Sequence, residues 1–523
     1  MQSPANLWVA SFLGPGNPFF SHDGLAAQRP RRLSGMRPAA YLMTIAVGLA
    51  SVSAQEVPPR SPDLSAIRRE VQANVAAGKV PAISIAVAKN GKILWEEGLG
   101  LADVEKKTYA TANTRYYIAS VTKTITATAI MQLQERGKLR LDNAVNDYLG
   151  SAKVHSPIWK ASDATVRRVL SHTAGLTTFA RSCRAGESGC AIDEGIDRYG
   201  ILFWRPGERF DYSNLGYGIL GEVIERASGR SLDSYLQGEL FDQLGMHDCG
   251  FSVSLSASRT AAAQYDEHTH QPSPLRVSGH PGASALRCSA HDLLLFGGFQ
   301  LKDTPDTGSL LSFAAIEEMH RAQANTDEGQ YGLGWWIKEQ SGYRILSAQG
   351  GTTDSYALLQ LVPSEDLAIV VIANSYADFV SGLADRILSV LLPKSAAPPK
   401  SPVNDRVPNS DRPVALAGKW TGTVLTYQGS IPITLEISSD GLARGQVGKQ
   451  PIADLADASL EPSELYGRLV GDPTMADAPP YRYLLELDLF LRGDDLVGAA
   501  TSRPLPGEAG DELPHWVSLT RVK

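Results

Sequence analysis

The sequence lacks the features that mark proteins binding nucleic acid, metals or anionic membranes. Its formal net charge is −7, and no stretch is rich in lysine or arginine. Surfaces that bind nucleic acid or acidic lipid carry such stretches, so neither is predicted as a main partner. Neither Cys-x-x-Cys nor a histidine-rich metal spacing is present, and we expect no metal and no cofactor. His268-Thr269-His270 is a candidate metal pair, for which a solvated loop is the favoured interpretation.

Cysteine is scarce, and its count is even. The four residues are Cys183, Cys190, Cys249 and Cys288. An oxidising compartment would permit two disulfides. One option is a short loop closed by the first pair and a longer loop closed by the second. Other pairings and free thiols remain open.

No hydrophobic run has the length of a confident membrane span. The apolar run 39–52 follows Met36-Arg37-Pro38 and ends in small residues at Val52-Ser53-Ala54. A basic start, a short apolar core and small residues at the cut are typical of a signal peptide. We therefore predict that residues 1–54 are an N-terminal extension with a signal peptide, and that the protein is exported to the periplasm or outside the cell. A membrane anchor and a twin-arginine signal at Arg31-Arg32 remain alternatives.

What is present is the composition of an ordinary globular protein, with 43% hydrophobic and 20% charged residues. A length of 523 residues indicates more than one domain. Residues 394–414 are rich in proline and have no periodicity, which predicts a linker. It separates a main domain, 55–393, from residues 415–523, where alternating patterns predict a small all-β domain.

Within the main domain, helical and strand patterns follow one another in a definite order. Asn90-Gly91 is a strong hairpin signal between strands 82–88 and 92–97. Further strands are predicted at 334–338, 343–347, 355–362 and 367–373, and helices at 64–78, 118–136, 216–227, 233–244 and 379–391. The pattern predicts an α+β fold with one antiparallel sheet built from both ends of the domain and flanked by helices. The middle, about 138–325, predicts an all-helical lobe, and a cleft between the two is the natural place for a site.

Ser120 and Lys123 form the only Ser-x-x-Lys in the chain. Residues three apart on a helix share a face, so the lysine amine can approach the serine hydroxyl. A serine hydroxyl becomes a good nucleophile only when a base takes its proton, and a lysine whose pKa is lowered can be that base. By itself the pattern is common enough to arise by chance.

Three further stretches strengthen this interpretation. Tyr212-Ser213-Asn214 is the only Tyr-x-Asn in the chain. The tyrosine could be held as a phenolate beside the lysine or exchange a proton with Ser120, and the asparagine could orient the lysine and bind a substrate carbonyl. Leu170-Ser171-His172-Thr173-Ala174-Gly175-Leu176 is a polar turn. Gln349-Gly350-Gly351-Thr352 ends a strand, and one of its N–H groups together with that of Ser120 would make an oxyanion hole.

Residues 64–392 resemble the serine β-lactamase and penicillin-binding-protein superfamily. The resemblance lies in the order and spacing of these motifs, together with Pro206-Gly207 and Tyr331-Gly332-Leu333-Gly334-Trp335. The nearest branch contains class C β-lactamases, D-alanyl-D-alanine peptidases, D-aminopeptidases and related esterases. The resemblance implies acyl transfer, with Ser120 as nucleophile, Lys123 and Tyr212 as proton relay, and Asn214, Gln349, Gly350 and Gly351 binding substrate. It also implies a two-lobed fold.

One position departs from the family pattern. The third motif is usually Lys-Thr-Gly or His-x-Gly, whereas this chain has Ala348-Gln349-Gly350. In the family the basic residue helps to bind a substrate carboxylate. Its replacement by Ala348 puts β-lactamase or carboxypeptidase efficiency in doubt, and Gln349 and Arg344 are candidate substitutes.

The function expected from the sequence is that of an exported serine hydrolase acting on a β-lactam, a D-amino-acid peptide or an ester. Its partner would be a small-molecule or peptide substrate, with peptidoglycan-derived peptides among the candidates. The alternative is a catalytically weak or inactive penicillin-binding-like protein that captures peptide or cell-wall fragments. His172, Tyr331 and Trp335 are interpreted as structural rather than catalytic.

Overall fold

The computed structural model describes residues 63–183, 190–251, 261–274, 277–301, 310–392, 415–471, 483–505 and 511–522. The predicted signal segment, 1–54, and the predicted linker, 394–414, lie outside these residues. In the described part of the chain, no helix combines the length and the apolar character needed to cross a membrane.

The main domain is built on strands contributed by both of its ends, as predicted. Its strands are β1 Ala82–Lys89, β2 Lys92–Asp103, β3 Thr108–Tyr109, β4 Tyr116–Tyr117, β5 Ser182–Cys183, β6 Gly250–Phe251, β7 Val277–Ser278, β8 Leu286–Cys288, β9 Ala324–Thr326, β10 Gly329–Tyr331, β11 Trp336–Gln340, β12 Tyr343–Thr352, β13 Ser355–Val362 and β14 Leu367–Ala373. Nine of them form one sheet in the order β3-β2-β1-β14-β13-β12-β11-β10-β9. Every neighbouring pair is antiparallel.

Asn90 and Gly91 make the predicted hairpin turn. Both have positive φ values, 51° and 66°. Two successive left-handed residues give a turn whose twist matches that of the flanking strands. The hairpin pairs β1 with β2, and the other edge of β1 pairs with β14, Leu367–Ala373, which is buried along its whole length.

Helices cover both faces of the sheet and make up most of the second lobe, which is not all-helical as expected because it also contains the short strands β5 to β8. They are α1 Ser65–Ala76, α2 Thr122–Glu135, α3 Val166–Leu170, α4 Ile192–Tyr199, α5 Asn214–Ser228, α6 Leu232–Leu236, α7 Asp242–Leu244, α8 Pro281–Ser284, α9 Ala290–Leu301, α10 Phe313–His320, α11 Asp378–Ser381 and α12 Leu383–Leu391. Helices α1 and α12 share one apolar core with one face of the sheet. The opposite face packs against a larger core that includes α2, α5 and α9.

The main domain contains the longer of the two disulfide loops considered from the sequence. Cys249 is bonded to Cys288, which joins the end of the α7 region to strand β8. Cys190 is also disulfide-bonded. Strand β8 pairs with β4, which ends three residues before Ser120, so the Cys249–Cys288 bond supports the segment that leads to Ser120.

The C-terminal part is all-β, as predicted. Its strands are β15 Gly418–Thr426, β16 Gly429–Ile437, β17 Ala443–Val447, β18 Ala453–Asp454, β19 Ala456–Leu460, β20 Glu464–Gly471, β21 Tyr483–Arg492, β22 Asp495–Pro504 and β23 Leu513–Arg521. Strand β15 pairs with both β16 and β23. The two end strands, β18 and β19, are separated by the single residue Leu455, so the sheet closes on itself as an up-and-down barrel.

The barrel interior is filled by apolar side chains, among them Trp420, Leu435, Leu469 and Leu487. A Cβ atom added at Gly445 would lie 2.7 Å from Leu469 Cδ1 and 2.9 Å from Leu435 Cδ2. Around Gly445 the barrel interior has no room for even one more methyl group. The barrel interior there is a packed core.

Candidate active site

Ser120 lies in a 3-10 turn, Ala119–Val121, that leads directly into α2. Its side chain is half-buried, while Ala119 before it has a φ of 43°, a left-handed conformation uncommon outside glycine. The hydrogen bonds of the turn come from the N–H groups of Val121 and Thr122. The turn therefore does not use the Ser120 N–H, which can serve a substrate oxygen.

Lys123 contacts Ser120 as the spacing predicts. Its Nζ atom lies 2.9 Å from Ser120 Oγ, 2.7 Å from Asn214 Oδ1 and 3.2 Å from the Ala283 carbonyl oxygen. The side chain is 1% exposed, and this burial lowers the pKa of Lys123 well below its ordinary value. A lowered pKa favours the neutral amine over the ammonium ion.

A neutral amine has two N–H groups and one lone pair. Asn214 Oδ1 and the Ala283 carbonyl are both acceptors, so each takes one N–H of Lys123. In this neutral form the lone pair is left to accept from the Ser120 hydroxyl, whereas in the ammonium form Nζ donates to Ser120 Oγ at the same 2.9 Å. The neutral form is the arrangement that a general base requires.

The orientation of Asn214 is fixed by a second hydrogen bond. Its Nδ2 atom donates to the Phe179 carbonyl at 3.0 Å, which turns Oδ1 towards Lys123. The Tyr-x-Asn motif sits at the start of α5, where the Ser213 hydroxyl caps the helix by accepting from the Gly216 N–H at 3.2 Å. The motif thus presents two functional side chains on either side of a capping serine.

Tyr212 is hydrogen-bonded to the Ser120 side chain, and its ring centroid is 4.8 Å from Lys123 Nζ. Burial raises the pKa of the Tyr212 hydroxyl. A raised pKa favours the phenol over the phenolate, so of the two roles considered from the sequence the structure favours proton exchange with Ser120.

His172 lies behind Tyr212 rather than beside Ser120. Its Nδ1 atom accepts a hydrogen bond from the Ser213 N–H at 3.1 Å, and its ring centroid is 4.4 Å from that of Tyr212. Burial lowers the pKa of His172 well below its ordinary value. A neutral imidazole in this place supports the turn that carries Tyr212 and Asn214, in line with its structural interpretation.

Tyr331 and Trp335 pack as the structural interpretation expects. Tyr331 contacts His172 at a centroid distance of 4.9 Å and is hydrogen-bonded to Tyr217. Trp335 is fully buried and stacks on Phe296. Neither side chain is placed to bind substrate.

The end of strand β12 runs along the Ser120 turn. Strand β11 pairs with β12 up to Ser347, whereas β13 pairs with it as far as Thr352. A Cβ atom at Gly350 would lie 2.4 Å from both Ser120 N and the Ile118 carbonyl oxygen. The strand can approach the turn this closely only with glycine at this position. The sequence indicated that the glycines leave the backbone accessible to substrate, and the close packing of Gly350 on the Ser120 turn is an additional role.

Ala348 and Gly350 face the same way, two residues apart on β12. Ala348 pairs with Leu359, in the core on the Ser120 side of the sheet, while Gln349 pairs with Leu358, in the core on the other side. Because side chains alternate along a strand, the Gln349 side chain points away from Ser120. Only its backbone borders the site, so the expectation that its side chain replaces the missing cation is wrong.

Arg344 does not fill that place either. Its guanidinium donates to the His320 carbonyl at the far end of β12. The position that carries a cation in the family therefore presents a methyl group, and neither candidate substitute reaches it.

Two partners of the site escaped sequence reasoning. The carbonyl groups of Phe179 and Ala283 hold Asn214 and Lys123, but a backbone carbonyl leaves no signature in the residue type. Tyr117 and Ser284, which are hydrogen-bonded to each other, adjoin the same region. Their types are too common for a pattern to single them out.

Comparison with known proteins agrees with this geometry. A family model described as Beta-lactamase matches residues 67–392. Protein flp of Staphylococcus aureus (strain NCTC 8325 / PS 47) is 27% identical over 335 residues, which cover 61% of this chain and 64% of that protein. Penicillin-binding protein 4 of Amycolatopsis lactamdurans is 28% identical, over 62% of this chain and 90% of that protein. The match thus spans less than two thirds of the Staphylococcus protein.

Solved structures show the same fold. The octameric penicillin-binding protein homologue from Pyrococcus abyssi has a TM-score of 0.56 and 20% identity, covering 87% of this chain and all of that one, 100%. SurE in complex with D-Leu has a TM-score of 0.58 and 22% identity, and the match covers 88% of this chain and 99% of that one. A class C β-lactamase has a TM-score of 0.54 and 23% identity, and the match covers 63% of this chain and 96% of that one. With a family match over more than half of its length and this arrangement of Ser120, Lys123 and Tyr212, the chain belongs to the Beta-lactamase family, within the serine β-lactamase and penicillin-binding-protein superfamily.

Proposed function

We propose that the protein is an exported serine hydrolase that forms an acyl-enzyme on Ser120 and hydrolyses an ester or amide. The observation that carries this proposal is the position of Lys123 Nζ, which lies 2.9 Å from Ser120 Oγ while Asn214 Oδ1 and the Ala283 carbonyl oxygen are within hydrogen-bond distance as acceptors for its N–H groups. Burial lowers the pKa of this amine, which raises the fraction in the neutral form that can act as a base.

In the proposed reaction, Lys123 takes the proton of Ser120 while the serine oxygen bonds to the substrate carbonyl carbon. The oxyanion that forms lies between the Ser120 N–H and the end of β12, where backbone donors stabilise it. Tyr212 and Lys123 return the proton to the leaving oxygen or nitrogen as its bond to the carbonyl carbon breaks. Water then attacks the acyl-enzyme and releases the acid.

The methyl group at Ala348 bears on the choice of substrate. A substrate whose recognition depends on a carboxylate gains nothing from this position, whereas an ester without a carboxylate loses nothing. We therefore propose esters as the better substrates, with β-lactams and D-amino-acid peptides turned over more slowly. Export rests on the signal pattern at 36–54 and would give access to peptidoglycan-derived peptides.

The alternative is a binding protein that keeps the fold and captures peptide or cell-wall fragments, and Ala348 is the observation that favours it. Labelling separates the two. The wild-type protein is expected to take up a fluorophosphonate on Ser120 and to hydrolyse p-nitrophenyl esters, whereas Ser120→Ala does neither.

Nitrocefin, D-Ala-D-Ala peptides and D-aminoacyl anilides, assayed beside short-chain esters, then rank the substrates. A wild-type protein that takes up no label, together with ester turnover equal to that of Ser120→Ala, would overturn the hydrolase proposal. Stoichiometric peptide binding in that case would support the alternative.

A further inference from the structure

The barrel packs on the helical lobe through the outer face of its last strands. An apolar cluster joins the two parts and consists of Ile201, Phe203 and Trp204 from the lobe and Val497, Ala499 and Trp516 from the barrel. Phe203 and Trp516 face each other at a centroid distance of 6.1 Å. The contact is therefore a buried apolar surface, with polar bridges at its edge.

The first polar bridge runs towards Tyr212. Asp488 of the barrel accepts a hydrogen bond from Arg209 Nη2 at 2.7 Å, and the same Nη2 atom lies 3.5 Å from Asp211 Oδ2. The Arg209 guanidinium also stacks over Trp204 at 3.3 Å, and the indole N–H of Trp204 donates to Asp211 at 2.7 Å. Asp211 immediately precedes Tyr212, so the barrel carboxylate is linked to the backbone that carries the relay tyrosine.

The second bridge runs towards Asn214. The backbone of Glu512 exchanges two hydrogen bonds with that of Ala180, at 2.8 and 3.1 Å. Its carboxylate accepts from Thr178 Oγ1 at 3.1 Å and from Arg503 Nη1 at 2.9 Å. Between Thr178 and Ala180 lies Phe179, whose carbonyl orients Asn214.

We infer that the barrel is part of the catalytic apparatus and that Asp488 and Glu512 act as positioning residues for the proton relay. The inference rests on the proposed function. The first bridge ends one residue from Tyr212, which contacts Ser120, and the second ends one residue from Phe179, whose carbonyl holds the lysine partner Asn214. The two bridges therefore approach the relay from different segments. Since proton transfer requires heavy atoms within hydrogen-bond distance, a small displacement of either segment lowers the rate of acylation.

The test compares Asp488→Ala, Glu512→Ala and the double variant with the wild-type chain. Each single change is expected to lower kcat for a p-nitrophenyl ester about tenfold, with KM changed by less than about twofold, because the relay and not the substrate site is disturbed. Asp488→Glu, which keeps the charge, should recover most of the lost rate. Glu436→Ala is the matched control, since Glu436 pairs with Lys419 at 3.0 Å on the exposed surface of the same barrel.

A second measurement does not depend on activity. Hydrogen–deuterium exchange followed by mass spectrometry should show faster exchange in peptides covering 177–182 and 205–216 in the double variant, and no change there in Glu436→Ala. Unchanged exchange in both peptides, or an unchanged kcat in the double variant, overturns the inference. If wild-type Ser120 proves unreactive, the proposed function fails, and the exchange result alone decides whether the barrel holds these segments.

Discussion

The Nδ1 atom of His172 accepts a hydrogen bond from the backbone N–H of Ser213 at 3.1 Å, which ties a buried imidazole to the residue between Tyr212 and Asn214. His172 has a φ of 57°, and its ring packs against Tyr212. One side chain thus supports two members of the site without contacting Ser120.

Replacing His172 by alanine removes the acceptor, the ring and a residue type that tolerates the left-handed conformation. We expect His172→Ala to lose about 2–4 kcal/mol of unfolding free energy and to lower kcat about tenfold or more. Asparagine adopts positive φ readily and offers an oxygen near the place of Nδ1. His172→Asn should therefore keep more of the unfolding free energy and more of kcat than His172→Ala. Urea unfolding and ester hydrolysis measure the two effects. Equal losses in the two variants would show that the acceptor does not matter.

The lowered pKa of Lys123 gives stability a defined dependence on pH. Between that lowered pKa and the ordinary value of 10.5, the unfolded chain holds a proton that the folded chain lacks. Stability therefore rises with pH in this window, by up to about 1.4 kcal/mol per pH unit. Lys123→Met abolishes this contribution.

We expect the wild-type chain to gain stability relative to Lys123→Met as the pH rises from about 7 to about 9, because only the wild type has this lysine to titrate. Urea unfolding of both proteins over this range measures the difference, and titrations common to both cancel. Two parallel curves would mean that Lys123 is protonated in the folded protein, which contradicts its role as a neutral base.

Gly350 leaves no space for a side chain where β12 meets the Ser120 turn. Gly350→Ala places a methyl group 2.4 Å from two backbone atoms, Ser120 N and Ile118 O, neither of which can rotate away. We expect a loss of about 1–3 kcal/mol in unfolding free energy and about 100-fold in acylation rate.

Gly298→Ala, in helix α9, serves as the control for this change. A Cβ atom there meets nothing within 4 Å, so the variant should be about 0.5–1 kcal/mol more stable and fully active. Wild-type acylation of Gly350→Ala would refute the close contact between strand and turn.

Ala348 is expected to determine the preference between charged and uncharged substrates. Ala348→Lys places an amine on the Ser120 side of β12, where a charge-assisted hydrogen bond to a carboxylate can form. The rate of penicillin acylation relative to ester hydrolysis should rise about tenfold, as expected from one such bond. Ala348→Met adds similar length without charge and should leave the ratio unchanged. If both variants shift the ratio equally, size and not charge is responsible.

Much of the main domain could be predicted because its local signals agree with its tertiary structure. The bounds predicted for β13 and β14 match the structure, since both strands are continuous apolar runs set apart by polar turns. Strand β12 extends five residues beyond the predicted end at Ser347, because glycines and a glutamine were interpreted as a strand end. The predicted helix 233–244 is interrupted by a π-helical turn, Gln237–Phe241, for which residue type gives no signal.

The candidate site was predictable in its side chains and unpredictable in its supports. Ser120, Lys123, Tyr212 and Asn214 come together as their spacing indicated. Gln349 was a candidate substitute for the missing cation, and the register of β12 relative to the core, which decides which way a strand residue points, places its side chain on the other face. The contribution of the barrel depends on contacts between residues some 330 positions apart, such as Thr178 and Glu512, and no local pattern encodes them.

The pairing of β1 with β14 also sets the order in which the molecule can fold. Ile83 lies opposite Ala373, and Asn374 accepts a hydrogen bond from Ala82 across a separation of 292 residues. Contacts between such distant residues form slowly because a long loop must close first. During synthesis the first hairpin emerges long before its central neighbour exists, and the strand that borders Ser120 is also made late. Ser120 therefore acquires its neighbour β12 only after most of the main domain has been synthesised.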